Sequence, residues 1–229
     1  MKIGIMQPYF LPYIGYFQLI KSVDTYVIYD DVNFIKGGWI NRNRILLNGG
    51  EFMINVPMQG ASAFKKINEI NLGKITPKLF STIEQAYRKA PYFKEVLPVI
   101  IDILNFETAN LSTFISNSIV LIAQYLDIKT EIILSSEISK DIALKSQNKV
   151  IEICEILGAT EYHNAIGGKE LYGKSQFAKK NIELKFLKTN PIVYNQFNND
   201  FIPWLSILDV MMFNPVAEIN NMLNSYELV

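Results

Sequence analysis

Asp30-Asp31 places two adjacent carboxylates just past the apolar run Thr25–Tyr29, which reads as a buried strand. In an open parallel sheet the ligand crevice lies beyond the carboxyl ends of the strands. A carboxylate pair there can serve as a metal pair, a general base, or an acceptor for sugar hydroxyls or an amine. The plainer alternative is a turn in which one Asp caps Val32–Phe34. Gln7-Pro8-Tyr9 follows the first strand, so neighbouring parallel strands would bring the two loops side by side. The stretch Lys36-Gly37-Gly38-Trp39-Ile40-Asn41-Arg42-Asn43-Arg44 gathers three cationic groups around an indole and two amides. A guanidinium fork suits carboxylate or phosphate, and paired glycines let backbone approach a ligand closely. Its structural alternative is an ordinary approach to a hairpin, with Trp39 in the core.

Further along, His163-Asn164-Ala165-Ile166-Gly167-Gly168 again runs from a strand end into glycines. His163 is a candidate general acid–base, although a lone histidine on a strand is commonly structural. The backbone N–H groups of Gly167 and Gly168 can form an anion nest. Gly168 also opens a literal G-x-x-x-x-G-K-S pattern ending at Gly173-Lys174-Ser175. Leu171-Tyr172 is bulky for a phosphate cradle and no convincing downstream acid would hold magnesium, so the match is expected to be accidental. Ser206 and Asp209 lie three apart, on one face of a helix, and read either as binding groups or as a capping arrangement. Cys154, among Ile153, Ile156 and Leu157, reads as core.

The elements that must position these groups alternate. Lys2–Met6 is a short apolar strand, and Gln7–Pro12 resists helix because each proline disfavours it in the preceding residue. Tyr13–Lys21 reads as a helix and Thr25–Tyr29 as a second strand, so the chain opens with a βαβ unit and parallel strands. Arg44–Leu47 and Glu51–Val56 flank the hairpin signal Asn48-Gly49-Gly50, and Lys66–Leu72 alternates like another strand. Three helices follow, over Thr76–Lys89, Tyr92–Leu104 and Leu111–Leu126, with Pro98 placed to kink the second. Alternation resumes with strands at Glu131–Leu134, Glu161–Ile166 and Glu183–Leu187 and helices at Gln147–Leu157 and Ser175–Lys180. Trp204–Met212 and Pro215–Asn224 close the chain as helices. The expected fold class is α/β, a mostly parallel sheet with a helical segment inserted mid-chain. One domain over residues 1–229 is expected, with residues 76–127 as a helical subdomain.

Composition narrows the function classes. Of 229 residues, 49% are hydrophobic and 19% charged, enough apolar side chain for a real core. Lys+Arg and Asp+Glu are both 22, so the basic excess of a duplex-DNA binder is missing and no nucleic-acid partner is expected. One cysteine and one histidine offer neither an intramolecular disulfide nor a structural zinc site; Asp and Glu remain for magnesium, no metal ligand is assigned, and the cofactor is undetermined. The opening residues are too short an apolar run for a signal peptide, and no run of about 18 apolar residues can span a membrane. A soluble, cytoplasmic protein of undetermined oligomeric state is expected.

Three segments resemble the WbqC-like protein family: Met6–Phe17, Tyr29–Phe34 and Gly38–Arg44. Ser135–Ile138, Gly158–Tyr162, Gly167–Tyr172 and Ser206–Asp209 are similar to it as well, so the resemblance covers nearly the whole chain. It implies a part in bacterial surface-polysaccharide (O-antigen) biosynthesis, with transfer of glycine or another aminoacyl group to a sugar amine as the suggested reaction and a sugar or nucleotide-sugar as partner. On that reading Asp30 or Asp31 is the base and His163 the second candidate. Lys36, Arg42 and Arg44 hold phosphate, while Gln7, Asn41 and Asn43 meet hydroxyls or an amide. Tyr9, Tyr13 and Trp39 stack on a ring, and Asn164, Gly167, Gly168, Tyr172, Ser206 and Asp209 complete the binding set. Asp30 and Arg42 are expected to face one cavity, with Asp31 the more ligand-facing carboxylate. The alternatives are a nucleotidyl-transfer enzyme, which would lack the usual His-x-Gly-His of that class, and a non-catalytic sugar-binding or scaffold protein.

Overall fold

β-Branched and aromatic residues buried on both faces build the centre of the sheet. Ile3, Ile5, Tyr26, Val27 and Ile28 are all at most 2% exposed. They belong to β1 (Lys2–Met6) and β2 (Thr25–Ile28), which pair in parallel with Ile3 opposite Thr25 and Met6 opposite Ile28. Helix α1 (Ile14–Lys21) makes the crossover between them. This is a computed structural model of the chain, and it describes residues 1–198 and 200–229.

The remaining elements, in chain order, are β3 (Arg42–Leu47), β4 (Gly50–Asn55), β5 (Met58–Gln59) and β6 (Asn71–Leu72). Then come α2 (Pro77–Tyr87), α3 (Phe93–Leu104), α4 (Leu111–Tyr125), β7 (Glu131–Leu134), α5 (Ser146–Ile156) and β8 (Glu161–Ala165). The chain finishes with α6 (Lys174–Ala178), β9 (Glu183–Thr189), α7 (Ile207–Phe213), α8 (Val216–Met222) and β10 (Tyr226–Leu228). Among the described residues the main sheet runs β10-β9-β8-β1-β2-β7, parallel throughout except for β10, which pairs antiparallel with β9. The α/β class and the mostly parallel sheet read from the sequence are both present.

Alternation along each strand sends side chains to two cores. Ile3, Ile5 and Val27 pack with Val150, Cys154 and Phe177 of α5 and α6 on one face. Tyr26 and Ile28 pack on the other with Phe17 and Ile20 of α1 and with Ile83, Val96, Ile100 and Phe114 of the mid-chain helices. Helix α3 runs continuously through Pro98. The hairpin of β3 and β4 turns at Asn48 and Gly49, both with positive φ, the backbone an Asn-Gly turn supplies.

Two expectations are corrected. Lys66–Leu72 is not one strand: Ile67–Glu69 forms a 3₁₀ turn before the short β6. Ile67 and Ile70 are both buried, a spacing of three that suits a turn, and the Glu69 carboxylate accepts the Lys66 N–H at 2.8 Å. The strand β10 went unread because three residues at a chain end carry too little pattern.

Candidate functional site

Strands β1 and β8 lie side by side, but the chain leaves them for opposite faces of the sheet, through α1 and α6. That divergence opens a crevice at the strand ends, the usual ligand position in such sheets. A cavity of about 640 Å³ occupies it, walled by Met6 and Gln7 from β1 and its exit, Asn164–Gly168 from β8, and the loops carrying Tyr29, Trp39 and Trp204.

Ten of the residues singled out from the sequence line this cavity. They are Gln7, Tyr9, Tyr13, Trp39, Asn43, Arg44, Asn164, Gly167, Gly168 and Tyr172. The loop behind Gln7 and Tyr9 is held from three sides. Phe10 N–H donates to the Ile40 carbonyl at 2.9 Å, Asn43 Nδ2 donates to the Phe10 and Leu11 carbonyls, and Ser206 Oγ donates to Leu11 at 2.7 Å. Asn43 is therefore a brace of the wall more than a free amide. Gly15 lets the Tyr13 ring lie against the start of α1, where any Cβ would overlap that ring. Arg44 is anchored as well: its Nη1 donates to both Glu51 carboxylate oxygens at 3.0 and 2.8 Å, and its guanidinium carbon lies 5.3 Å from the Trp39 ring centre.

The wall is aromatic and nearly uncharged. Among the described residues no Asp, Glu, His or Lys lines it, and Arg44 is its one charged side chain. Burial raises the pKa of the Tyr9, Tyr16, Tyr29 and Tyr172 phenols, and Tyr29 is pushed further by the nearby Asp31 carboxylate and by Tyr172. These phenols stay protonated at neutral pH; Tyr16 spends its hydroxyl on the Gln7 carbonyl at 3.0 Å, and Tyr9, Tyr29 and Tyr172 are hydrogen-bond donors. Tyr16, Tyr29, Pro12, Ile35, Leu171 and Trp204 also line the wall and were not among the site residues chosen from sequence. The rings of Tyr16, Tyr29 and Trp204 were the available signal, but in a chain rich in Tyr and Phe it is not distinctive.

The two aspartates lie elsewhere. The Asp30 carboxylate is buried and accepts the Ser136 N–H at 2.9 Å and the Ser136 hydroxyl at 2.7 Å. Asp31 accepts Lys149 Nζ at 2.8 Å and the Ser135 hydroxyl at 2.7 Å, and lies 3.0 Å from Lys140 Nζ. Burial by itself would raise the Asp31 pKa, but the bonds from Lys149, Ser135 and Lys140 outweigh it and hold the carboxyl below its usual range. Lys149 also sits 5.1 Å from the centre of the Tyr29 ring, whose lining position separates this ion cluster from the cavity. The expectation that Asp30 and Arg42 share a cavity is overturned, and so is the ligand-facing position of Asp31. Both carboxylates are consumed tying the end of β2 to the end of β7.

His163 points away from the cavity. Successive strand residues face opposite sides, and Asn164 takes the cavity side. The His163 ring is 1% exposed, with Nδ1 3.1 Å from the Ser22 hydroxyl and Nε2 3.2 Å from Glu161. Burial lowers its pKa, partly offset by the Glu161 carboxylate. Ser206 caps α7, accepting the Leu208 N–H, and Asp209 is fully buried, accepting from Tyr87, Tyr194 and Gln196. Neither lines the cavity. Lys36, Asn41 and Arg42 border a separate cleft on the other side of the Trp39 loop.

Three amides of the G-x-x-x-x-G-K-S stretch are already used. Lys169 and Leu171 N–H groups close local turns onto Ile166 and Gly168, and Gly173 N–H donates to Gln147 at 2.6 Å. Among the described residues no group of three or more His, Cys, Asp or Glu could hold a metal ion, and no helix is long and apolar enough to cross a membrane.

Fold and site define an α/β protein with an open aromatic cavity where the chain leaves two neighbouring parallel strands for opposite faces of the sheet. The WbqC-like protein family model matches residues 7–221, and the chain belongs to that family. A protein of Mycobacterium tuberculosis (strain ATCC 25618 / H37Rv) described as "Uncharacterized protein Rv1507c" is 31% identical over 222 residues, covering 95% of each chain. No solved structure matches.

Proposed function

We propose that the chain binds a sugar or nucleotide-sugar intermediate of bacterial surface-polysaccharide synthesis in the aromatic cavity, and that an aminoacyl group such as glycyl is transferred there to a sugar amine. The observation that carries this reading is the cavity wall: aromatic rings, amides at Gln7 and Asn164, and, among the described residues, no carboxylate. Sugar rings offer C–H faces to aromatic planes and hydroxyls to amides and phenols. Membership of the WbqC-like family supports the polysaccharide context.

Transfer to an amine suits a wall without a carboxylate base. Amines with pKa values near 8, like the α-amino group, are partly unprotonated at neutral pH. The amine nitrogen attacks the acyl carbon of an activated donor, the bond to the donor's leaving group breaks, and the proton lost from nitrogen passes to that leaving group or to water. The catalytic demand then falls on alignment of the two reactants in the cavity. Protonated Tyr9, Tyr29 and Tyr172 are the groups able to donate to a developing oxyanion.

Thermal unfolding with a set of UDP-linked sugars tests the binding step. A ligand at 100 times its Kd adds about 2.7 kcal/mol, a rise in Tm of roughly 5–10 °C for a chain of this size. Mass spectrometry of a bound UDP-amino sugar incubated with candidate acyl donors then reads the transfer as a mass gain. Stabilisation by ATP alone, with none by any sugar, would reject this reading in favour of nucleotide chemistry.

A further inference from the structure

The loop from Ile35 to Arg44 is a wall with two sides. Trp39 and Arg44 face the aromatic cavity, whereas Lys36, Asn41 and Arg42 face a second cleft of about 390 Å³. The two arginines, separated by the Trp39 ring, differ in what satisfies them. Arg44 is neutralised by Glu51 through two hydrogen bonds. Arg42 has no carboxylate within 4 Å among the described residues. Its Nε donates to the Gly38 carbonyl at 3.0 Å and its Nη2 to the Gly37 carbonyl.

Carbonyls orient a guanidinium without cancelling its charge. Gly37 adopts φ +75, a conformation that favours glycine, and so turns its carbonyl onto Arg42 Nη2. The loop is folded around this side chain, so much of the entropy of ordering it is spent before any ligand arrives. Lys36 lines the same cleft, and the Lys65 ammonium lies beside Gly60, next to the lining residue Ala61. Neither lysine has a carboxylate partner among the described residues, and no acidic side chain lines the cleft. Three uncompensated cations, one of them a guanidinium already held in place, call for a ligand with more than one negative charge and tetrahedral oxygens.

We propose that this second cleft is a phosphate site, in which Arg42 and Lys36 take the phosphoryl or diphosphoryl part of a ligand. The cleft stands on its own charge and geometry. That the attached group is a sugar seated across Trp39 rests on the function proposed above.

Inorganic pyrophosphate is the direct probe, read by tryptophan fluorescence, because the Arg42 guanidinium carbon lies 6.0 Å from the Trp39 ring centre. Pyrophosphate should bind the wild-type chain with an affinity that falls as salt rises. Arg42→Gln and Lys36→Gln should each weaken it about tenfold, as loss of a charge-assisted bond does. Lys36 is an exposed side chain, so its variant keeps the fold even if the Arg42 variant loosens the loop. Trp204→Ala, on the far side of the wall, should leave pyrophosphate affinity unchanged and weaken a UDP-linked sugar. Absence of pyrophosphate binding, or unchanged binding in both Gln variants, overturns the phosphate site. Pyrophosphate binding that the Gln variants lose, with no UDP-linked sugar binding better than pyrophosphate, keeps the site and overturns the sugar reading instead.

Discussion

Two strand ends of one sheet were given opposite treatment. At the end of β2 and β7, both buried or half-buried aspartates have found partners: Asp30 with Ser136, and Asp31 with Ser135, Lys140 and Lys149. At the end of β1 and β8, aromatic and amide groups line an open cavity that holds almost no charge. The β2–β7 end is rich in chemistry-bearing residues and spends them on cohesion. The β1–β8 end is plain in sequence and spends fewer groups on cohesion: Asn43, Tyr16 and Asn164 are bonded within the wall, while no hydrogen bond within the protein holds the Gln7, Tyr9 or Tyr13 side chain among the described residues. Satisfied carboxylates mark structure here, and the aromatic planes beside an open cavity are where the proposed binding falls.

The largest test of that contrast is Asp31→Asn. It leaves Lys140 and Lys149, at 4% and 9% side-chain exposure, without their counter-charge. Breaking a buried pair from one side costs about 3–5 kcal/mol, so denaturant unfolding should show that loss. Asp30→Asn should cost less, about 1–3 kcal/mol, as for a buried acceptor weakened at one oxygen. If either variant is as stable as wild type and instead loses turnover, the division into a cohesive and a binding strand end is wrong.

Acid sensitivity follows from Asp31 of this cluster and from three titratable groups elsewhere. Asp31 has a folded pKa below its ordinary 3.8, and Glu161, bonded by Lys185 and His163, is brought down from 4.5 to about 2. Each therefore contributes stability above its unfolded value that is lost as pH falls through the folded one. His163, lowered by burial, takes up a proton more readily when unfolded, so stability also declines as pH falls below about 6.5. Asp209 runs the other way: burial outweighs the bonds from Tyr194, Tyr87 and Gln196, its pKa is raised, and its contribution shrinks as pH climbs above 3.8. Unfolding free energy should be lower at pH 3 than at pH 7, and Asp31→Asn should flatten the portion below pH 4. A wild-type chain equally stable at both ends would contradict this.

The cavity side should respond in binding and not in stability. Trp204 is 60% exposed, so Trp204→Ala should change stability by no more than about 0.5 kcal/mol while lowering sugar affinity roughly two- to tenfold, the loss of one aromatic contact. Calorimetric titration beside a melting curve separates the two. At the small end, Lys174→Ala should leave both stability and nucleotide affinity unchanged, because the amides around it already close local bonds. A clear loss of ATP binding in that variant would reinstate the glycine-rich pattern as a phosphate cradle.

Local pattern carried much of the fold. The run Thr25–Tyr29, the prolines at 8 and 12, Asn48-Gly49 and Thr76-Pro77 each impose a backbone preference within a few residues, and the elements formed accordingly. The strand Glu131–Leu134 has the bounds read for it from the sequence. The site was less legible. Asp30 and Asp31 stood out because two carboxylates after a buried strand are uncommon, yet what neutralises them lies 104 to 118 residues away. His163 and Asn164 are neighbours in sequence, and only the register of β8 against β1 decides which of them reaches the cavity.

The amino-acid sequence by itself determined the α/β alternation, the parallel opening of the sheet, the two-armed basic loop around Trp39 and the aromatic richness of the segments near strand ends. These follow from side-chain shape, apolar period and backbone preference, which act over a few residues. Tertiary structure alone decided which charges are spent and which are left. Glu51 reaches Arg44 and nothing acidic reaches Arg42 among the described residues, although both arginines sit in the same strand, two residues apart. Charge pairing depends on separations of a few ångströms between groups brought together by the fold, and no local pattern encodes those separations.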